Sequence, residues 1–164
     1  MDTSTIVMGI LALALFVVPI YYIQQKQKSK LNKAKQPFLD AAQRHGLQLG
    51  KYDFWNEQYG IGLDETESRL FYWHNETGIP QEMITELSSV KQSIVDSAYR
   101  ENNGNRIFDA IGLRLMLQGA KESSVYLPFY LTKDIMMLKG ELKLAEEWNA
   151  IIQHNISSRK AVQV

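Results

Sequence analysis

Residues Tyr59–His74 read YGIGLDETESRLFYWH. Apolar and small residues alternate along Tyr59-Gly60-Ile61-Gly62-Leu63, a polar run Asp64-Glu65-Thr66-Glu67-Ser68 interrupts them, and Arg69-Leu70-Phe71-Tyr72-Trp73-His74 resumes as an aromatic strand. Two short period-two segments around a polar turn predict an antiparallel hairpin. The same pattern recurs on both sides of it. Tyr52 to Trp55 reads as a short strand upstream. Downstream, Asn75 to Pro80 is a loop punctuated by Gly78 and Pro80, and Met83 to Leu87 is a short strand. Val90 to Tyr99 is read as a strand, although Val90, Ile94 and Val95 also permit a helix. The run ENNGN (101–105) is a turn, and Arg106 to Gln118 is a long strand with Ile107, Ile111, Leu113, Leu115 and Leu117 at one parity. Gly119 to Ser123 turns again, and Ser124 to Leu131 returns with Val125, Leu127, Phe129 and Leu131 on one face. Pro128 directs this strand to an edge or a bulge, because it has no N–H to donate to a ladder.

Helical periodicity appears at both ends of this β-rich stretch. Pro37 is predicted to open a short helix, Phe38 to His45, with Phe38, Ala41, Ala42 and His45 on one face and Gly46 as its cap. A last helix is predicted from about Lys139 to Ile156, where Leu138, Leu142, Ala145, Ile152 and Ile156 recur at helical spacing and Trp148 and Ile151 widen the stripe. Seven strands followed by one amphipathic helix is the element order of a pleckstrin-homology-like domain, an antiparallel β-sandwich whose open end the helix covers. The expected class is therefore α+β; a generic antiparallel sheet packed on one helix is the alternative.

The N-terminal region differs in kind. Thr5 to Ile23, TIVMGILALALFVVPIYYI, is 19 residues without a charge. As a helix it extends roughly 28 Å, close to a bilayer's hydrocarbon thickness. Ile10, Leu13, Phe16 and Val17 would face lipid, and Tyr21 and Tyr22 would meet the headgroups. Gly9 and Ala12 form a small-residue face suited to helix packing. Ala12-Leu13-Ala14 resembles a signal-peptide cleavage site, but Met1 to Ser4 has no lysine or arginine and the apolar run continues past Ala14. Five lysines follow, Lys26, Lys28, Lys30, Lys33 and Lys35. The positive-inside rule places them in the cytoplasm, where they also suit anionic headgroups. The expected organisation is an extracytoplasmic tail (1–4), a transmembrane helix (5–23), a basic linker (24–36), a cytoplasmic domain (37–156) and a flexible tail (157–164) in a single-pass inner-membrane protein.

Three stretches, Tyr52-Asp53-Phe54-Trp55-Asn56, Ile61-Gly62-Leu63-Asp64 and Gly140 to Trp148 (GELKLAEEW), resemble uncharacterised single-pass inner-membrane proteins of Bacteroidetes-type bacteria. The resemblance implies a membrane location and supplies no catalytic residues.

Formal charge is zero over the chain, but from Gln36 onward 13 Lys and Arg face 17 Asp and Glu. An acidic domain argues against nucleic acid as a partner. The absence of cysteine removes disulfides, thiolate metal sites and a cysteine nucleophile. His45, His74 and His154 lack metal-ligand spacing and are assigned structural or surface roles, so no metal and no cofactor is expected. Asp64, Glu65 and Glu67 read as a solvated hairpin tip. Gly60-Ile61-Gly62 lacks the context of a phosphate loop and suggests a bulge or close backbone approach. No serine stands in a nucleophile-elbow motif. The sequons at Asn75 and Asn155 have no meaning in a cytoplasmic domain. Adjacent strand residues point to opposite faces, so some rings among the aromatics near the hairpin lie at the surface unless both faces are covered. Trp55, Tyr59, Tyr72 and Trp73 are the candidate interface. The sequence thus predicts a non-enzymatic, membrane-anchored interaction module, an accessory or assembly subunit of a larger inner-membrane complex. Its partners would be the lipid bilayer and other membrane-protein subunits. The alternative is a tethered domain binding an anionic lipid headgroup or a small ligand.

Overall fold

The structure is a computed structural model that describes residues 30–119, 123–135 and 137–162. The predicted membrane span (residues 5–23), with its lipid-facing and helix-packing positions, lies outside the described residues, as do Lys26 and Lys28. No helix among the described residues is long and apolar enough to cross a membrane. The chain divides into two compact units, Met1–Asp40 and Ala41–Val164.

In the first unit the described residues are helical, part of helix α1 (residues 30–44). Pro37 does not open this helix but lies within it. The only intrahelical bond lost directly is the one its missing N–H would have donated, and the polar lysine-rich stretch before it has good helix propensity. Lys30 and Lys33 are exposed and Lys35 is half-buried.

The second unit is α+β, with two antiparallel sheets and a C-terminal helix. The first sheet has the order β1-β2-β3-β4, formed by β1 (Lys51–Trp55), β2 (Tyr59–Asp64), β3 (Arg69–His74) and β4 (Gln81–Glu86). One 3-10 turn, Leu87–Ser89, leads into the second sheet, β5 (Val90–Asn102), β6 (Asn105–Leu117) and β7 (Ser124–Leu131), in that order. Helix α2 runs Glu141–Val162. The ambiguous segment after Val90 is thus a strand, paired along its length with β6. The tail expected to fray from Ser157 continues α2 instead. Nothing in Ser157-Ser158-Arg159-Lys160-Ala161-Val162 breaks a helix, since Gly and Pro are absent.

All six residues of β2 and five of six in β3 are buried. Tyr59, Ile61, Leu63, Leu70 and Tyr72 point inward to one core shared with Ile111, Leu113, Leu115, Leu127 and Phe129 of the second sheet and with Ala145, Trp148, Ile152 and Ile156 of α2. The α2 residues keep the spacing of a helical stripe. Trp148 is fully buried, and its indole N–H donates to Asp53 Oδ2 at 2.8 Å, which joins α2 to β1.

The opposite face of the first sheet, with Phe71 and Trp73, is also covered, by residues 41–49. Helix α1 ends in a Schellman turn: Gly46 has φ +70°, the Gly46 N–H donates to Gln43 O, and the Leu47 N–H donates to Ala42 O. The turn sends Leu49 across β2. A Cβ on Gly62 would lie 2.6 Å from Leu49 Cδ1, so the glycine is what admits the leucine. Arg44 and His45 donate to Glu82 of β4 at 2.6 and 2.7 Å and pin the far side of this cover.

In the second sheet Ile111, Leu113 and Leu115 are buried as their parity predicts, but Ile107 is exposed. A register shift at Ala98/Tyr99 rotates the outer part of the hairpin, and β7 does not reach it: β6–β7 pairing ends at Ala110↔Leu131. A second shift between Ile111 and Gly112 sits opposite Pro128, on the edge strand β7. A Cβ on Gly112 would lie 2.5 Å from the Leu127 carbonyl oxygen and 2.6 Å from the Tyr126 ring.

The two glycines make a graded prediction. Gly62→Ala meets a flexible side-chain tip and costs about 1 kcal/mol, whereas Gly112→Ala meets backbone and costs about 3 kcal/mol. Urea denaturation measures both. In the Leu49→Ala background the Gly62→Ala penalty shrinks, and the Gly112→Ala penalty does not.

Candidate functional site

At one end of the β2–β3 pair, Tyr59 and His74 are register partners. Both face the interior, and their rings stack at 4.3 Å with 8° between planes. Trp55 stacks on the other side of Tyr59 at 5.5 Å. The chain leaves β3 through Asn75 into Glu76, which is exposed. From the second sheet, the exit turn of β7 closes with the Asp134 N–H donating to Leu131 O at 3.0 Å, while the Thr132 N–H donates to Asp109 O. This turn delivers Lys133 and Asp134 to the same place.

The resulting cluster is dense. The Tyr59 hydroxyl donates to Asp134 Oδ2 at 2.6 Å. His74 Nε2 lies 3.8 Å from the same oxygen, too far for a hydrogen bond, and has no hydrogen-bond partner. The His74 and Asp134 side chains are 5% and 3% exposed. Lys133 Nζ donates to Glu76 Oε1 at 2.7 Å and stands 3.9 Å from Asp134 Oδ1. One donor atom each from His74, Glu76 and Asp134 lie within 4.8 Å of one another.

Electrostatics fix the protonation of this cluster. Burial pushes the His74 imidazole below its usual range, against the pull of Asp134 and Glu76, so the ring is neutral at physiological pH. Burial and the bond to Asp134 push the Tyr59 phenol far up, so Tyr59 is a fixed donor. The Lys133 bond holds the Glu76 carboxyl below its ordinary value, and the same bond raises Lys133. The cluster therefore sets the Glu76 carboxylate, the Lys133 ammonium and a neutral imidazole around the Asp134 side chain. It can bind a cation; its tyrosine cannot act as a base near neutrality.

The aromatic quartet chosen from the sequence is not a surface patch. Tyr59, Tyr72 and Trp73 are buried and Trp55 is half-buried. The reason is the double cover of the first sheet: Tyr59 and Tyr72 enter the shared core, and Trp73 lies on the opposite face beside Phe54, with ring centroids 5.9 Å apart. The polar tips of Trp55, Tyr59 and Tyr72 bond internally. Trp55 Nε1 donates to Phe129 O at 2.9 Å, and the Tyr72 hydroxyl donates to Pro128 O at 2.5 Å. His45 pairs with Glu82, and His154 is exposed on α2. Among the described residues, an open cleft of about 490 Å³ is lined by Lys91, Met116, Leu117, Gln118, Gly119 and Ser123, of which Lys91 alone is ionisable.

No motif marks Asp134 or Lys133, which stand in an ordinary Thr-Lys-Asp-Ile turn far from His74 in the chain. Comparison with protein-family models, curated proteins and solved structures finds no match.

Asp64 is not part of a solvated hairpin tip. It is buried, while its neighbours Glu65 and Glu67 are exposed. Its carboxylate accepts the Gln48 N–H at 2.7 Å and the Glu67 N–H at 3.1 Å, and so organises both the β2–β3 turn and the entry to β1. Those bonds hold its carboxyl below the usual range. A depressed carboxyl contributes stability above its unfolded value, near 3.8, and loses it as pH falls through the folded value. Asp64→Asn is therefore expected to cost about 1–3 kcal/mol at pH 7. The penalty shrinks in strong acid, where wild-type Asp64 is itself protonated. Urea titrations at the two pH values read the difference.

Proposed function

We propose that this chain is a non-enzymatic, membrane-tethered interaction module, an accessory or assembly subunit of an inner-membrane complex. Residues 5–23 act as the anchor, and the lysines after them hold the second unit on the cytoplasmic face. The strand order 1-2-3-4 and 5-6-7 followed by a helix accords with a pleckstrin-homology-like architecture, a scaffold used for binding rather than for one chemistry. Exposed Lys30 and Lys33 on α1 accord with a juxtamembrane position.

The observation that carries the reading is the outer half of the β5–β6 hairpin. Beyond Ala110 it is a two-stranded ribbon without a third strand. Tyr99 and Ile107 are each 43% exposed, and Phe108 lies against Tyr99. Arg106 sits over the Tyr99 ring at 4.7 Å, and Arg100 is held by Asp109. A free two-stranded ribbon has little stability of its own, and tyrosine with arginine is the composition of interface anchors.

Two measurements test the proposal. Alkaline extraction of membranes is expected to leave the chain in the pellet, and a chain that is fully released contradicts the anchor. The tagged full-length chain, purified in mild detergent, is expected to bring a stoichiometric set of membrane subunits that Tyr99→Ala/Ile107→Asp loses while circular dichroism stays unchanged. A clean monomer or homodimer sinks the accessory-subunit reading.

A further inference from the structure

We propose that His74, Glu76 and Asp134 form a binding site for one divalent transition-metal ion of the zinc class, with Lys133 as a displaceable cation that shields the two carboxylates. This site is independent of the partner reading above.

A tetrahedral ion with bonds of 2.0–2.1 Å holds its donors about 3.3 Å apart. His74 Nε2 and Asp134 Oδ2 are 3.8 Å apart, so this pair needs to close by only about half an ångström. All three donors already fall within 4.8 Å. Glu76 is exposed on the loop after β3, so it has room to make the remaining movement. Three protein ligands leave a fourth position open, as in a solvent-accessible zinc site.

A second observation points to a ligand independently of the carboxylates. His74 is 4% exposed, and its Nε2 has no hydrogen-bond partner. An unpaired buried nitrogen carries a desolvation penalty with nothing in return. It faces Asp134, and its imidazole is neutral, the form that coordinates a metal. The surroundings hold the donors in place. Tyr59 fixes the plane of the imidazole by stacking, and its hydroxyl orients the Asp134 carboxylate, the role that outer-shell partners play around metal ligands.

Charge agrees with this. Asp134 and Glu76 carry two negative charges against the single ammonium of Lys133. The Lys133 side chain is 61% exposed, so it can swing into water when a metal ion takes its place. The nitrogen donor and the low ligand count select against calcium and magnesium, which take oxygen ligands in larger number.

Isothermal titration of the full-length chain with Zn²⁺, in mild detergent, tests the site, using His45→Ala/His154→Ala as the background to remove the other two imidazoles. One-to-one binding is expected, weakened at least tenfold by Glu76→Ala and by Tyr59→Phe, and tightened by Lys133→Ala. Glu76 and Lys133 are exposed, so their variants keep the fold, as circular dichroism can verify. Co²⁺ in place of Zn²⁺ is expected to give the visible absorption of a four-coordinate ion, lost in Glu76→Ala. The proposal is overturned if neither wild type nor Lys133→Ala shows saturable one-to-one binding. It is equally overturned if Glu76→Ala leaves the affinity unchanged, or if binding is lost with His45 and so belongs to the His45–Glu82 pair.

Discussion

Strands β2 and β3 are buried on both faces, and most of the second unit is a response to that. An antiparallel sheet commonly turns one face to water and needs only one cover. Here Phe71 and Trp73 on one face, and Leu70 and Tyr72 on the other, both demand removal from solvent. The inner face is met by the second sheet and α2. The outer face is met by the short segment 41–49, which has little bulk and must come close. Gly62 supplies the missing side-chain volume under Leu49, and the Schellman turn at Gly46 aims that segment across the strand. Burial of large aromatics at about 25 cal/mol per Å² makes each of these covers worth several kcal/mol, which exceeds what the tight contacts cost.

The aromatics do more than fill space, because their polar tips close the molecule. Trp55 reaches the Phe129 carbonyl, Tyr72 the Pro128 carbonyl and Trp148 the Asp53 carboxylate. Each bond joins elements that are distant in sequence. Two of the three land on β7 beside Pro128. Pro128 lies on an edge strand at a register shift, and its carbonyl takes the Tyr72 hydroxyl. A residue that would weaken a central strand serves at this edge as an attachment point for the other sheet.

Period and punctuation made the strands and the final helix legible, because alternation and helical stripes are local signals. The turns at Asp64–Ser68 and ENNGN and the stripe Ala145, Trp148, Ile152, Ile156 were all readable for that reason. Helix ends were not. Pro37 looks like a start and lies inside α1, and the polar tail after Ile156 looks frayed and is helical, because neither position is decided by composition alone. The aromatic quartet is buried rather than exposed for a tertiary reason: alternation shows that two faces exist, not that both are covered. Asp64 is buried for a similar reason, since its partner Gln48 N–H comes from a segment that no hairpin pattern reveals. The His74 cluster was illegible because its members come from β3, the following loop and the β7 exit turn, and only the packing of one sheet against the other brings them together.

That last cluster is the one place where the logic of double burial works against stability. Continuing the inward alternation from Tyr59 and Tyr72 puts residue 74 in the interior, where an apolar side chain would satisfy the packing without penalty. A histidine there pays for desolvation, and its free nitrogen is not bonded in return. Asp134 is equally buried, and its strongest bond is to a neutral phenol rather than to a cation. Buried ionic groups are commonly less stabilising than apolar residues of the same size. Packing therefore accounts for the position of this group and not for its chemistry. A cation held between the imidazole and the carboxylates accounts for both, because it satisfies the nitrogen, offsets the second negative charge and ties the loop after β3 to the turn after β7.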